Sequence, residues 1–405
     1  MRVSAQLLPE FAKRPTMHDA IYLDNAATTR TDPAIAAQLA EDSLRHYANP
    51  ASTHRAGLAA RRRLEQARET IAERLPGYRV VFTASGTEAI HLAIRGAFGV
   101  RPRRRRVLVS AVEHPAVLRA AEALVPLGAE VETIAVDAAG RVDTERLEAR
   151  LAEVGEQVAV CAVMAVQNEL GTIEPLERVR ALLARHAPQA FFFVDAVQAL
   201  GKIVFDPETI GAHAYAFASH KIHGPKGMGC LAVREPVHLA PLLTGGGQEF
   251  GLRSGTPDVP GACGFATAFV EAFDHAARHV RHLESLRAQL AEGIARIEPG
   301  AVVHGPGEPG GCSPSILSVA FPGRRGEQVQ HALEAEGLYC STGSACHSAE
   351  RKPGHVLRAV GMDPVLAEGT VRFGLSWTNT EAEIERALEI IAAALPRVPA
   401  RATIA

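Results

Sequence analysis

The sequence predicts an α/β protein with a large central domain and a small C-terminal domain. Three observations carry this. Short, continuous apolar runs alternate with helical patterns from about residue 78 to 235. The runs lack the in–out alternation of a half-exposed strand, so their sheet is buried on both faces and largely parallel. After Gly255-Thr256-Pro257 the pattern changes to a long helical stretch, a Gly/Pro-rich loop and a smaller unit.

Taken in order, residues 1–30 are an N-terminal segment expected to pack beside the small domain. Residues 31–260 form the large domain, and 261–405 a linking helix and the small domain. Val80-Val81-Phe82-Thr83 reads as a strand, followed by a helix with Ile90, Ile94, Ala97 and Phe98 on one face. Val107-Leu108-Val109 is a strand before a helix from Val117 to Leu124. Val131 to Val136, Val158 to Val166 and Phe191 to Val194 are further strands. A single helix is expected from about Ala262 to Ile297, then the loop Gly305 to Gly311. The small unit has a strand at Ile316–Phe321 and a helix at Glu327–Glu336. A Ser/Gly loop around Cys346, a strand at Val371–Leu375 and a terminal helix at Thr380–Leu395 follow.

Composition narrows the function classes. With 405 residues the chain can bury a large core, and 47% hydrophobic with 22% charged residues fits a soluble globular protein. A net charge of −2 gives no global reason to expect nucleic acid or an anionic membrane as a partner. The local exception, Arg101-Pro102-Arg103-Arg104-Arg105-Arg106, reads as a solvated loop or a binding patch. Six cysteines in so long a chain do not make a disulfide framework, and no Cys-x-x-Cys pair offers a zinc site. Cys161 and Cys230 lie in apolar strand patterns and read as buried hydrophobes. Met1 to Met17 lacks a signal-peptide apolar run, and no segment reaches the ~20 apolar residues of a membrane span. Cytoplasm is the expected compartment.

Chemistry gathers at the ends of the expected strands, where parallel sheets place their ligands. Ser85-Gly86-Thr87-Glu88 follows the first strand with capping-box spacing. It is a well-capped helix start or a phosphate cup: the free N–H groups and dipole suit an anion, Gly86 permits close approach, and Thr87 adds a hydroxyl. In Glu113-His114-Pro115, His114 is a structural histidine or one that lies over an aromatic ring. Asn168, in Gln167-Asn168-Glu169, is a polar donor at the end of a buried strand. Asp195 ends the run Phe191 to Val194, where a carboxylate is costly without a cation. It is an N-cap or the partner of a protonated ring nitrogen, and Gln198 can face the same way. In Ser219-His220-Lys221-Ile222-His223-Gly224, Lys221 follows a hydroxyl and an imidazole and precedes a glycine-rich turn. It is a solvated charge or a Schiff-base lysine holding pyridoxal 5'-phosphate. Together these residues favour the cofactor reading.

The chain resembles the pyridoxal-phosphate-dependent cysteine desulfurases of the aminotransferase class V superfamily. The resemblance runs from Tyr22 to about Leu395. It rests on Tyr22-Leu23-Asp24-Asn25-Ala26-Ala27-Thr28-Thr29, Asn49-Pro50-Ala51-Ser52-Thr53-His54, Ser219-His220-Lys221 and Gly245-Gly246-Gly247-Gln248-Glu249. Arg253-Ser254-Gly255-Thr256, Ser344-Ala345-Cys346 and Val371-Arg372-Phe373 complete it. It implies fold type I of the pyridoxal-phosphate transferases, with a mainly parallel seven-stranded sheet between helices in the large domain. Lys221 would carry the cofactor, Asp195 would pair with its ring nitrogen, and His114, counted with Lys221 and Cys346 among the catalytic residues, would stack on the ring. Asn168 and Gln198 would lie near the ring hydroxyl. Gly86, Thr87, Ser219 and His220 would hold the phosphate, with Thr256 reaching that of a second subunit in a homodimer. Arg372 would clamp the substrate carboxylate, helped by Asn25 and Asn168.

Cys346 sits in Ser341-Thr342-Gly343-Ser344-Ala345-Cys346-His347-Ser348-Ala349, a composition expected of a mobile, exposed loop. The resemblance makes it the nucleophile. L-cysteine would displace Lys221 from the cofactor, Lys221 would move the Cα proton, and the Cys346 thiolate would take the substrate sulfur. L-alanine would leave, and the persulfide would pass to an acceptor protein such as an iron–sulfur scaffold. Two places depart from the family pattern: Ala89-Ile90-His91, where Ser-Asn-Asn is usual, and the charged Glu350-Arg351-Lys352-Pro353 after the cysteine. The alternatives are a class V aminotransferase or selenocysteine lyase, which share the cofactor, and a non-enzymatic binding protein, against which Lys221 and Asp195 argue.

Overall fold

The computed structural model describes residues 20–342 and 354–400. Cys346 and the charged stretch 350–353 lie outside the described residues.

The chain opens with β1 (Ile21–Tyr22), α1 (Pro33–Arg45) and α2 (Arg55–Ala72). There follow β2 (Tyr78–Thr83), α3 (Gly86–Gly99), β3 (Arg106–Ser110), α4 (Pro115–Glu122), β4 (Glu130–Ile134) and α5 (Thr144–Val154). Next come β5 (Val158–Met164), α6 (Leu176–His186), β6 (Phe191–Asp195), α7 (Pro207–Ile210), β7 (Ala214–Ala218) and β8 (Gly229–Arg234). Helices α8 (Val259–Asp274) and α9 (Ala276–Ile297) lead to β9 (Val302–Val303), β10 (Ile316–Ala320), α10 (Gly326–Ala335) and β11 (Leu338–Tyr339). Last are α11 (His355–Ala359), α12 (Pro364–Glu368), β12 (Thr370–Gly374) and α13 (Glu381–Ala394).

Seven strands form the main sheet in the order β2-β8-β7-β6-β5-β3-β4. Only β8 runs against its neighbours, β2 and β7. Every residue of β5, β6 and β7 is buried, as their unbroken apolar runs require. Side chains alternate across the sheet. Phe192, Tyr215 and Phe217 pack with Phe265 and Phe269 of α8, while Phe191, Phe193 and Val160 pack with Ile90, Ile94 and Val117 of α3 and α4.

The small C-terminal domain is built on the antiparallel sheet β12-β10-β9. Leu317 and Phe373 of that sheet share a separate core with Leu283, Leu286 and Leu290 of α9 and Ile384 and Ile391 of α13. Ile21 and Leu23 belong to the same core, and β1 pairs in parallel with β11.

Three features differ from the sequence expectation. The single helix over 262–297 is two helices, parted at His275 (φ −109°, ψ 11°). The reason is packing: α8 buries Phe265 and Phe269 in the large core and α9 buries its leucines in the small one, so the axis must turn between them. At Ser85–Glu88 the capping box forms by half. Ser85 Oγ accepts from Glu88 N at 3.1 Å, but Glu88 Oε2 takes the N–H of Ala84 at 2.9 Å instead of that of Ser85. The other carboxylate oxygen pairs with Arg253 at 2.7 Å, which diverts the side chain. The arginine run is more than a solvated loop. Arg101 donates to Ala97 O and lies over the Phe191 ring, Arg105 donates to Leu127 O, and Arg106 pairs with Glu130 and Glu132.

One buried ion pair fixes the loop before α8. Arg68 of α2 and Glu249 are 8% and 7% exposed and meet through two hydrogen bonds of 2.7 and 2.8 Å. Glu249 also accepts the Phe82 N–H of β2 at 2.7 Å. Glu249 and Phe250 hold left-handed φ values of +49° and +59°, a strain these bonds sustain. Removing one partner of a buried pair costs about 3–5 kcal/mol. Glu249→Ala should therefore lower the melting temperature by several degrees, read by thermal denaturation; an unchanged melting curve would deny the pair this role.

Candidate active site

Lys221 closes a 3₁₀ turn, Ser219–Lys221, at the carboxyl end of β7. Its Nζ donates to the carbonyls of Ala26 and Ala27 at 2.7 and 2.6 Å. The turn after β1 is thereby drawn over the ends of the large sheet. Burial brings the amine down to about 8, and Arg372 pushes the same way, while Asp195 and Asp24 oppose. A lysine near 8 is available as a neutral amine, and so as nucleophile or base, close to neutral pH.

Asp195 ends β6 and is buried, with Oδ1 accepting the Val197 N–H at 3.0 Å. Burial pushes the acid up to about 6; the Val197 bond and Lys221 pull it down. Gln198 donates through Nε2 to Ala26 O at 2.8 Å, and its Oε1 accepts from Lys202. His114 caps α4, its Nδ1 accepting from Ala116 N at 3.1 Å. Burial, then Lys221 and His355, bring it down to about 4, so the ring is neutral at neutral pH.

Ser219 is fully buried, and its Oγ has no hydrogen-bond partner. A Cβ at Gly224 would lie 2.0 Å from that oxygen, so glycine is required to leave the hydroxyl in place. His220 meets Thr28 Oγ1 at 3.1 Å, and burial, with three lysines, brings it down to about 4. Gly86 and the exposed Thr87 start α3; a Cβ on Gly86 would press on Val197 and Ala218 at 3.1 and 3.2 Å. That contact ties the α3 terminus to the ends of β6 and β7. Thr256 is exposed, in a shallow cleft with Ala84, Gly227 and Arg253.

Arg372 of β12 is buried. It donates to Asn168 O at 2.8 Å and to Asp24 Oδ1 at 3.0 Å, and its Nε has no partner. The Asn168 bond links the two domains, the Asp24 pair ties Arg372 to the turn after β1, and guanidinium N–H groups are left over. Asn168 enters through its carbonyl. Asn25 spends its amide N–H groups on Tyr22 O, Gly374 O and Asn379 Oδ1. It staples the Asp24–Ala26 turn to β12 and has no donor remaining for a carboxylate.

Lys221, Asp195, Gln198, Asp24, His114 and Arg372 are thus linked by shared partners or mutual electrostatics at one end of the sheet. Sequence reading missed Asp24, Lys202 and Glu113. Glu113 is buried, accepts from Ser110 Oγ and Met164 N at 2.8 and 2.7 Å, and is pushed well above the carboxylate range by burial and by Asp195. A carboxylate after the apolar Ala111-Val112 was the available signal. Cys161, Cys230, Cys263 and Cys340 are buried, and burial pushes their thiols up. Cys312, half-buried, is raised for the same reason. None of these described thiols is a favoured thiolate.

The donor set fits pyridoxal phosphate: an amine near 8, a buried acid for a ring cation, and a buried unpartnered hydroxyl beside the α3 terminus for a phosphate.

A family model, "Aminotransferase class-V", matches residues 21–387. The IscS-like cysteine desulfurase of Mycobacterium tuberculosis is 38% identical over 384 residues, spanning 93% of this chain and 96% of that protein. The cysteine desulfurase NifS of Azotobacter vinelandii is 36% identical, over 91% and 90% of the two chains. A solved structure of a NifS-like protein superposes with a TM-score of 0.86 at 36% identity, covering 93% of this chain and all (100%) of that one. Another, SspA in complex with cysteine, gives 0.75 at 27% identity over 89% and 99%. The chain belongs to the aminotransferase class V family. Within that family the two relatives named above are cysteine desulfurases.

Proposed function

We infer that this chain is a cysteine desulfurase, converting L-cysteine and an enzyme thiol to L-alanine and an enzyme persulfide. The observation that carries this is the Lys221 amine, brought down to about 8 at the sheet ends, with Asp195 and Arg372 acting on it. Matches to desulfurases over nine-tenths of the chain supply the substrate. Neither aminotransferase nor selenocysteine lyase activity is favoured by them.

Lys221, Asp195, His114, Asn168, Gln198, Gly86, Thr87, Ser219 and His220 would hold pyridoxal phosphate. When bound, that group supplies an electron sink for the substrate's Cα. The protein does the rest. Arg372, anchored by Asn168 O and Asp24, offers its remaining N–H groups to the substrate carboxylate. Asn25 contributes by fixing the turn that carries Asp24. The freed Lys221 amine takes and returns the Cα proton. The Cys346 thiolate attacks the substrate sulfur; the S–S bond forms, the C–S bond breaks, and the electron pair and a proton end on L-alanine.

The exposed Thr256 fits a homodimer in which it reaches the phosphate held by a second copy. The small and polar composition of Thr342-Gly343-Ser344-Ala345-Cys346 suits delivery to an acceptor protein, which we take to be an iron–sulfur scaffold. Free thiols at Cys161, Cys230, Cys263, Cys312 and Cys340 fit the cytoplasm. Among the described residues no helix is long and apolar enough to cross a membrane.

The function is tested by incubating the holoenzyme with L-cysteine. L-alanine should accumulate, and mass spectrometry should find an added sulfur on Cys346; pyruvate or a transaminated product in its place would reject desulfuration. A second expectation concerns pH. Lys221 captures an aldehyde only as the neutral amine, so its fall from 10.5 to about 8 sets the profile. Uptake of pyridoxal phosphate by the cofactor-free protein should rise about tenfold per pH unit below 8 and level off above it. Uptake still climbing from pH 8 up to about 10.5 would mark an ordinary lysine.

A further inference from the structure

We propose that Lys202 is a positioning residue that fixes the orientation of the Gln198 amide, so that this amide presents N–H to the cofactor's ring oxygen. This rests on the cofactor reading above and goes beyond it, because Lys202 lies one residue further from the site.

Lys202 is 3% exposed, in the turn after β6. Its backbone is held at both ends: its N–H donates to Ala199 O at 3.0 Å, and its carbonyl accepts from Ser313 Oγ at 3.3 Å. Among the described residues its amine donates to Gln198 Oε1, and no carboxylate pairs with it. That is an uncommon setting for a lysine, since a buried amine without an ion pair is costly. Burial holds it well below the usual lysine value, and the cations that face it, Lys221 and Arg372, push the same way.

Gln198 is 5% exposed and has chemically opposite neighbours. Ala26 O, which also accepts from Lys221 Nζ, can only accept a hydrogen bond; it takes Nε2–H at 2.8 Å. Lys202 donates, so it takes Oε1. The two ends of an amide are nearly identical in shape, so partners alone decide which way it faces. A reversed amide would set oxygen against oxygen at Ala26 and forfeit the Lys202 hydrogen bond to Oε1. With the present orientation, the second Nε2 hydrogen remains for an acceptor on the site side. A methionine at 202 fills similar space but removes the donor, leaving Oε1 buried and unpaired and one of the two constraints gone.

The test uses the holoenzyme and reads the pH midpoint at which the cofactor's visible band converts between its two forms. A ring oxygen that loses an N–H donor holds more tightly the proton it shares with the Lys221-linked nitrogen, so the midpoint should rise. The charged and titratable groups that face the Lys221 nitrogen or Lys202 are Arg372, Asp195, Asp24, His114, His220 and His223, and the comparison in the Gln198→Ala background below subtracts any effect relayed through them. Lys202→Met should raise the midpoint by about one pH unit, the scale of one hydrogen bond to a charged oxygen. Gln198→Ala should raise it similarly, and Lys202→Met added to Gln198→Ala should raise it no further. Equal shifts in both backgrounds would show that Lys202 acts by its own charge and overturn the proposal. So would an unchanged midpoint in Lys202→Met, which is the result a purely structural lysine gives. Lys202→Leu gives the same reading if the methionine variant does not fold. A wild-type protein whose visible band is absent, or is not bleached by borohydride, would instead reject the cofactor reading and this proposal with it.

Discussion

Lys221→Ala should lower L-alanine formation from L-cysteine by roughly 10⁴-fold or more, the scale at which loss of a nucleophile-and-base is felt. Two roles vanish together: the amine that would tether the cofactor and the base that would move the Cα proton. Folding should survive. Lys221 contributes two hydrogen bonds, to Ala26 and Ala27, whereas the turn that carries those carbonyls is also held by Asn25 to Gly374 O and by Thr29 to His220 O. Removing a half-desolvated cation from beside Arg372 and Lys202 offsets part of the loss. The variant should still take up pyridoxal phosphate without a covalent link, with an altered visible band. Steady-state alanine assay and circular dichroism together check this; a variant within tenfold of wild type would remove Lys221 from the chemistry.

Cys346→Ala should abolish transfer of sulfur to an acceptor while leaving the visible band in place. The two are separable because the groups proposed to hold the cofactor are on strand ends of the large sheet, whereas Cys346 falls in sequence between β11 and α11. None of the described cysteines is placed to substitute, since burial raises the thiols of Cys161, Cys230, Cys263, Cys312 and Cys340. Persulfide on the enzyme should fall to the background of a protein never given L-cysteine. Full sulfur release to an added acceptor would defeat this role for Cys346.

The sheet was legible because β5 and β6 are buried on both faces and so spell unbroken apolar runs, Val158 to Met164 and Phe191 to Val194. Asp195, Lys221 and His114 were legible for a related reason: each directly follows, or lies within a few residues of, such a run, so sequence order already places it at a strand end. The missed groups depend on contacts that sequence order does not encode. Asp24 meets Arg372 across 348 residues, and the Nζ of Lys221 reaches back to Ala26 across 195. Lys202 carries no local signal, since nothing near it in sequence shows that the small domain's Ser313 closes over it. Glu249 was visible only as part of a motif. Its pairing with Arg68 shows that at this position the motif serves the loop's backbone and not the chemistry. Asn25, likewise, was expected at the substrate and is instead a staple between β12 and the turn. The break at His275 escaped because helical periodicity continues on both sides of it, and only the existence of two cores makes it necessary.

The central claim is a covalent bond between Lys221 and a pyridoxal ring. Borohydride reduction of the purified holoenzyme, followed by proteolysis and mass spectrometry, tests it most directly. The account predicts a pyridoxyl group on the peptide containing Lys221 and on no other; an unmodified Lys221 peptide, or an adduct on Lys202 or Lys226 instead, would contradict it.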